Sequence, residues 1–170
     1  MPSPSAEATQ HAPAAATPAA SGRHISTINS LTGLSTDYLN HFTEVVMVLE
    51  MGAMVPECLE DLRTWRPKTY REHFAQSRFH DRGAIIAAYE GTDPVLRDAL
   101  DSAAQTLNAV LLESRDTVLA HLGTPDAQAL SQRAAAWIKP LIARIAGIIN
   151  GVRTSSTQPV QAAVDALFAR

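Results

Sequence analysis

Apolar residues recur at spacings of three and four along three long stretches of this chain, and this period predicts amphipathic helices. In the first stretch, residues 26–54, the apolar stripe consists of Ile28, Leu31, Leu34, Tyr38, Phe42, Val45 and Leu49. Gly33 divides the stretch, so Ser35 or Thr36 is predicted to cap a longer second piece. Pro56 is predicted to end it, because the residue before a proline avoids helical backbone angles.

Two further helices are marked by start signals in the second half of the chain. Asp93-Pro94 places an N-cap residue before a proline at the first helical position. The stripe that follows extends to Gly123 and consists of Leu96, Leu100, Ala103, Leu107, Leu111, Val118 and Leu122. Thr124-Pro125 repeats the start signal for a helix that ends at Asn150-Gly151. A kink is expected at Pro140, which cannot donate a backbone hydrogen bond.

These patterns predict an all-α fold class: a helical bundle of three to four main helices plus shorter ones. Short turns separate the long helices, so most neighbours should be antiparallel. Residues 1–22 are rich in Ala, Pro and Ser and contain almost nothing large and apolar. We expect a disordered tail there, because little burial would offset the entropy lost on ordering. Residues 23–170 are predicted to form a single helical domain that includes a short last helix over 159–168.

The end of the first helix, "VVMVLEMGAMV" at residues 45–55, carries one charge in eleven residues. Three of its apolar residues continue the stripe, and the others point elsewhere on a helix. A helix that is apolar all round is buried all round. This segment therefore either runs through the middle of the domain or meets another chain through a second face. The candidate self-association residues on that face are Met47, Val48, Met51 and Met54.

Six of the chain's 14 Lys and Arg residues lie in residues 63–82. Thr69 and Glu72 match a capping box, which predicts a helix from Tyr70 to about Arg82. On such a helix the arginines share one face, and Arg forks bind phosphate or carboxylate. The candidate binding residues are Lys68, Arg71, His73, Arg78, His80 and Arg82. The partner would be an acidic protein surface or a small anion, while the alternative is an ordinary solvated face. A net charge of −3 makes nucleic acid the least favoured partner.

No motif for catalysis, a cofactor or a metal site is found in the sequence. His73 and His80 would share a helix face, but about 10 Å of helical rise would separate them, too far for one ion. His41 is a candidate phosphoacceptor, because we expect it to lie half-exposed at the edge of the apolar stripe, beside Glu44. The sequence predicts no catalytic or metal-ligating residue.

Composition limits the class of protein. The single cysteine, Cys58, excludes an intrachain disulfide and fits the cytoplasm. The most apolar long stretch, residues 137–152, is interrupted by Lys139 and Arg144, so no transmembrane helix is predicted. Charged residues are only 18% of the chain, which favours burial of some surface against a partner.

Three functional hypotheses follow from these observations. The first is a non-enzymatic, adaptor-like interaction or regulatory protein that forms a homodimer. The second is a sensor or enzyme that binds a small anionic ligand between helices. The third is a histidine phosphotransfer module.

Overall fold

The computed structural model describes residues 27–52 and 54–152, and the fold is all-α, as predicted. Within these residues the chain forms five α-helices and two 3₁₀ helices, and an isolated bridge pairs Ile28 with Ser35. The α-helices are α1 Asn40–Gly52, α2 Tyr70–Gln76, α3 Arg82–Glu90, α4 Pro94–Ala120 and α5 Asp126–Ile149. The 3₁₀ helices are Thr36–Leu39 and Pro56–Arg63. The predicted tail over 1–22 and last helix over 159–168 lie outside the described residues and remain predictions.

The two longest helices, α4 and α5, form an antiparallel hairpin. The predicted cap of α4 is present, since the Asp93 carboxylate accepts the backbone N–H of Val95 at 2.8 Å and that of Leu96 at 3.3 Å. Gly123 has a φ of +84° in the turn, a value that favours glycine. The predicted cap at Thr124 is wrong, because its hydroxyl donates backwards to the His121 carbonyl, and α5 begins without a side-chain cap.

Helix α5 continues through Pro140 and ends at Ile149, close to the predicted stop. Helix α1 packs against α5: the Ser131 hydroxyl donates to the Leu49 carbonyl, and Lys139 pairs with Glu50. Burial of aliphatic side chains between these helices is the main driving force for their association. The fully buried aliphatic residues of the long helices include Leu100, Leu107, Leu111, Val118, Ile138 and Ile145.

The first predicted helix is shorter than the sequence pattern suggested. Ser35 is the cap, as expected, but it caps the 3₁₀ helix that leads into α1, and its hydroxyl accepts the Asp37 N–H at 3.2 Å. The residues before it form a turn, in which the Asn29 side chain accepts the N–H of Leu31 at 2.9 Å. Gly33 has a φ of +72°, which a helix cannot contain. The leucine at position 31 is consequently exposed rather than part of the stripe.

One end of the molecule is joined by hydrogen bonds between three segments that are distant in sequence. The Thr32 hydroxyl donates to the Ile149 carbonyl at 2.6 Å, and the Thr92 hydroxyl shares its proton between the Thr32 and Ala88 carbonyls, each 3.0 Å away. The bonds to the Ile149 and Thr32 carbonyls are buried. The threonine junction, defined as Thr32, Thr92 and Ile149, therefore ties the turn before α1 to the start of α4 and the end of α5.

An aromatic layer holds the short helices against α1. It consists of Tyr38, Phe42, Trp65, Tyr70, Phe74 and Tyr89. The Tyr70 hydroxyl accepts the Ser35 N–H at 2.7 Å, and burial raises the pKa of Tyr70 to about 12. The Tyr38 hydroxyl donates to the Lys68 carbonyl at 2.8 Å, and burial raises its pKa as well. Both phenols thus fix the position of α2 while they remain protonated at neutral pH.

Candidate functional site

Helix α2 begins where the capping box predicted. The Thr69 hydroxyl accepts the Glu72 N–H at 3.2 Å, and the Glu72 carboxylate accepts the Thr69 N–H at 2.8 Å. The hydrogen bond from the Thr69 backbone also lowers the pKa of Glu72. The reciprocal pair satisfies two N–H groups that a helix start otherwise leaves free.

The predicted continuation of this helix to Arg82 is wrong, because α2 ends at Gln76. The backbone of Ser77 is extended, with a ψ of 160°, and its hydroxyl donates to the Phe74 carbonyl at 2.7 Å. Serine side chains compete with the helix for backbone partners in this way. A new helix, α3, begins at Arg82. The arginines of this stretch therefore do not share a helix face.

The structure separates the predicted basic residues. Arg71 lies on α2 and forms an exposed ion pair with Glu90, with Nη1 and Oε1 2.6 Å apart. Arg82 donates from Nη1 to the Ser77 carbonyl at 3.2 Å. Arg78 and His80 are exposed in the segment between the two helices. These four side chains do not form one stripe, and the geometry that motivated an anion-binding helix face is absent from the described residues.

His41 is buried, which contradicts the prediction of a half-exposed position. Its residue is 5% exposed, and its ring stacks on Trp65 with centroids 5.1 Å apart and planes inclined by 22°. The Trp65 indole N–H donates to the His41 carbonyl at 3.3 Å, which holds the two residues together. The sequence did not show this contact, because Trp65 follows the Pro56–Arg63 helix, an element that the sequence analysis missed.

His41 lies beside His73, with ring centroids 5.8 Å apart, so α1 and α2 each contribute one imidazole to the same buried region. Burial lowers the pKa of His41 to about 4, and the charges of His73 and Lys68 act in the same direction. Burial also lowers the pKa of His73, again with a contribution from Lys68. Both imidazoles are therefore neutral at neutral pH.

Three buried polar atoms of this region have no hydrogen-bond partner in the part of the chain that the structure describes. They are His41 Nε2, His73 Nε2 and Asn108 Oδ1. The other end of the Asn108 amide donates to the Lys68 carbonyl at 3.3 Å. Such atoms are rare in proteins, because an unpaired buried polar group costs about 1–3 kcal/mol. We call His41, His73, Asn108 and Lys68 the buried histidine cluster.

Three members of this cluster are candidate residues from the sequence for other reasons, whereas Asn108 is not. The available signal was an amide in the middle of α4, next to the stripe residue Leu107. Periodicity places Asn108 at the edge of the stripe, but it does not show which helix faces that edge. Only the folded structure shows that Asn108 faces the start of α2, where its amide donates to the Lys68 carbonyl.

The second apolar face of α1 is exposed. Met47 is 53% exposed, Met51 43% and Met54, just after the helix, 79%. Val48 is half-buried and packs against the core, so it belongs to the interior more than to this face. Val55 is also exposed. We call Met47, Met51, Met54 and Val55 the methionine surface.

Other classes of site find no support in the geometry. Residues 27–52 and 54–152 contain no group of three or more His, Cys, Asp and Glu side chains placed to hold a metal ion. In the same ranges, no helix is long and apolar enough to cross a membrane. Comparison of the chain with protein-family models, curated proteins and solved structures gives no match.

Proposed function

We propose that this chain is a non-enzymatic helical interaction protein of regulatory or adaptor type that self-associates through the methionine surface of α1. The observation that carries the proposal is the exposure of Met47 and Met51, one turn apart on α1, with Met54 and Val55 exposed directly after the helix. Contiguous exposed apolar side chains mark interaction sites, whereas isolated ones are ordinary. Methionine is suited to such surfaces because its unbranched side chain adapts to the partner.

The spacing on α1 favours a second copy of the same chain as the partner. In an antiparallel pair of α1 helices with a twofold axis near Leu49, Met47 of one copy meets Met51 of the other. The same axis places Glu44 of one copy opposite Met54 of the other, so the two Glu44 side chains lie at opposite ends of the interface. Glu50 lies near the axis, where its ion pair with Lys139 offsets its charge. A twofold interface needs this kind of self-complementary surface.

Sedimentation velocity at micromolar concentration tests this proposal. The chain has a mass of 18.2 kDa, and we expect a species of twice that mass. The double variant Met47→Glu and Met51→Glu should sediment as a monomer with unchanged helix content, because two buried charges would destabilise the interface. Val95→Glu is the matched control, since Val95 is 78% exposed on α4. A wild-type monomer across the concentration range would contradict the proposal.

Composition supports a proposal for the cellular setting. A single cysteine, half-buried Cys58, fits a reducing compartment, and we place the protein in the cytoplasm.

Two other sequence-based hypotheses have less support. Arg78 and His80 are exposed, but they do not form one basic face with Arg71 for a second protein partner. The burial of His41 removes the observation that motivated phosphotransfer, so we do not propose that function.

A second candidate function is suggested by the buried histidine cluster. The half-buried Lys68 ammonium would pair with the carboxylate or phosphate of a small anionic ligand between α1, α2 and α4, and the unpartnered Asn108 Oδ1 would accept a hydrogen bond from a hydroxyl of the same ligand. A thermal-shift screen of phosphorylated and carboxylated metabolites tests it. A ligand at 100 times its Kd should raise Tm by about 5–10 °C. Asn108→Leu should abolish the shift and His80→Gln should keep it; a shift retained by Asn108→Leu would exclude this site.

A further inference from the structure

A groove runs between α4 and α5 on a side of the molecule that the proposed function does not use. Its volume is about 270 Å³. On the α4 side it is lined by Ala99, Ser102, Ala103 and Thr106, which recur at spacings of three and four. Because all four side chains are small, they extend little from α4 and leave the space between α4 and α5 unfilled. The groove is about two helical turns long, or roughly 10 Å at 1.5 Å per residue.

The α5 wall of the groove is apolar at both ends and cationic in the middle. Leu141 and Ile148 supply the apolar parts, and Arg144 lies between them. The guanidinium of Arg144 is half-buried and has no ion-pair partner among the residues that the structure describes. A half-buried arginine in this position favours an occupant with a carboxylate. The occupant should therefore present an apolar stripe with an acidic residue on its flank.

The chain leaves α5 beside this groove. Helix α5 ends at Ile149, one residue after the groove-lining Ile148, and the described residues end at Val152. Residues 153–158, "RTSSTQ", are six in number and can span at most about 20 Å. Connections of this length commonly join antiparallel helices. Residues 159–168 are therefore within reach of the groove and cannot travel far beyond it.

The sequence of residues 159–168 matches the groove in pattern and in charge. Helical spacing places Val160, Val164, Leu167 and Phe168 on one face. On such a helix Asp165 would lie on the flank of that face, on the same side as Phe168, and Ala162 would point to the opposite side. A helix of this length, about 15 Å, would present its apolar face over the two turns that the groove offers.

We propose that residues 159–168 of the same chain bind in the groove between α4 and α5 as a short helix antiparallel to α5. Val164 then lies over Ser102 and Ala103 at the centre of the groove, and Asp165 pairs with Arg144. The docked segment covers apolar surface of α4 and α5 and extends the hairpin to three helices. This inference does not rest on the methionine surface, which lies on α1.

Disulfide trapping in the full chain tests the docking. In a Cys58→Ser background, cysteines replace Ser102 and Val164, and a mild oxidant is added. We expect an intramolecular disulfide that forms at least about tenfold faster than in the matched control, in which the second cysteine replaces Ala162, because docking raises the effective concentration of the nearby thiol. Equal rates for the two pairs would overturn the proposal. Disulfide-linked dimers would overturn it too, because they assign the groove to a second copy.

The trapping is repeated with Met47→Glu and Met51→Glu added, so that self-association through α1 does not contribute. We expect the same intramolecular disulfide there, which separates this inference from the proposed homodimer. Hydrogen exchange provides a measurement without cysteines. Amides of residues 160–168 should be protected in the wild type and in Ala162→Asp, and protection should be lost in Leu167→Asp. Unprotected amides in the wild type would contradict the docking.

Discussion

The long helices and the short helices of this protein are held together by different side chains. Seven of the nine aromatic residues lie between positions 38 and 89, in and around the short helices. Helix α4, with 27 residues, contains no aromatic residue, and α5 contains only Trp137. The hairpin of α4 and α5 is packed with leucine, isoleucine, valine and alanine. The short-helix region, residues 34–92, adds buried aromatic rings to its aliphatic side chains.

The difference follows from helix length. A helix of seven or nine residues, such as α2 or α3, is unstable in isolation, since nucleation costs more than so few hydrogen bonds return. Each aromatic ring buries more area than an aliphatic side chain, so a short helix can be held by one or two of them. A long helix distributes the same burial over many aliphatic residues. Single substitutions should therefore affect the short-helix region more.

The largest expected effect is in Phe74→Ala. Phe74 is fully buried on the seven-residue α2, and its removal should lower the free energy of unfolding by about 3–5 kcal/mol. Leu107→Ala, at a fully buried position of α4, should cost less, because neighbouring turns of the hairpin still pack. Urea unfolding followed by circular dichroism measures both. A greater loss in Leu107→Ala would break the comparison. Phe79→Ala, at an exposed ring, serves as the aromatic control.

The second prediction is that stability declines with acidity through the buried histidines of the short-helix region. The folded pKa of His41, about 4, lies below its unfolded value near 6.5, so the unfolded state binds the proton more tightly. The stability that comes from neutral, buried His41 is fully present above pH 6.5, and the free energy of unfolding falls as the pH decreases from 6.5 toward 4. Each such group contributes a slope of up to about 1.4 kcal/mol per pH unit.

Urea unfolding at a series of pH values tests this prediction. His41→Phe should reduce the slope between pH 6.5 and pH 4, since the ring then carries no proton. Leu31→Gln, at an exposed position with no titrating group, should leave the slope unchanged. The same slope in His41→Phe as in the wild type would show that His41 does not titrate in the buried state described here.

The third prediction compares two glycines of the short-helix region. A Cβ at Gly52 would overlap the Leu59 side chain, so Gly52→Ala should destabilise the protein by about 1–3 kcal/mol. A Cβ at Gly83, in α3, would meet nothing within 4 Å. Gly83→Ala should therefore stabilise by about 0.5–1 kcal/mol. Thermal unfolding of the two variants should give shifts of opposite sign, and shifts of the same sign would refute the close approach at Gly52.

The smallest expected effect concerns the helix starts. Thr69→Ala removes the capping box of α2 and should cost about 1 kcal/mol. Thr124→Ala, before α5, should cost less than about 0.5 kcal/mol, because that helix begins without a side-chain cap. Chemical denaturation of both variants sharpens the comparison, since a short helix should depend on its cap more than a long one does. Equal losses of unfolding free energy in the two variants would show that dependence on the cap does not vary with helix length.

The sequence predicts the long hairpin better than the short-helix region, for a physical reason. Asp93-Pro94 and the aliphatic stripe that follows are local signals, and α4 begins where they indicate. The end of α2 lies at Ser77, where the hydroxyl donates to the Phe74 carbonyl. A serine can either continue a helix or end it in this way, so the sequence alone does not decide. The burial of His41 depends on Trp65, 24 residues away, and no local pattern encodes that contact.

The same distinction applies to the predicted surfaces: helical spacing within one helix predicts some exposed residues, whereas others depend on contacts with distant parts of the chain. The second face of α1 follows from helical spacing alone, and Met47 and Met51 are exposed on it. The basic face over residues 71–82 needed one continuous helix, and a single break removed it. Val48 was assigned to the methionine face by spacing, but it packs on the core, because the width of the contact made by a neighbouring helix is not encoded in the spacing of α1.

The threonine junction has a consequence for the lifetime of the folded state. Its hydrogen bonds join residues that are 60 and 117 positions apart. Contacts of such separation close large loops, so we expect these two bonds to form after the local helices. Interactions that are absent from the transition state for folding slow unfolding and leave the folding rate unchanged. Loss of the Thr32 and Thr92 hydroxyls should then shorten the lifetime of the native fold more than it delays its formation.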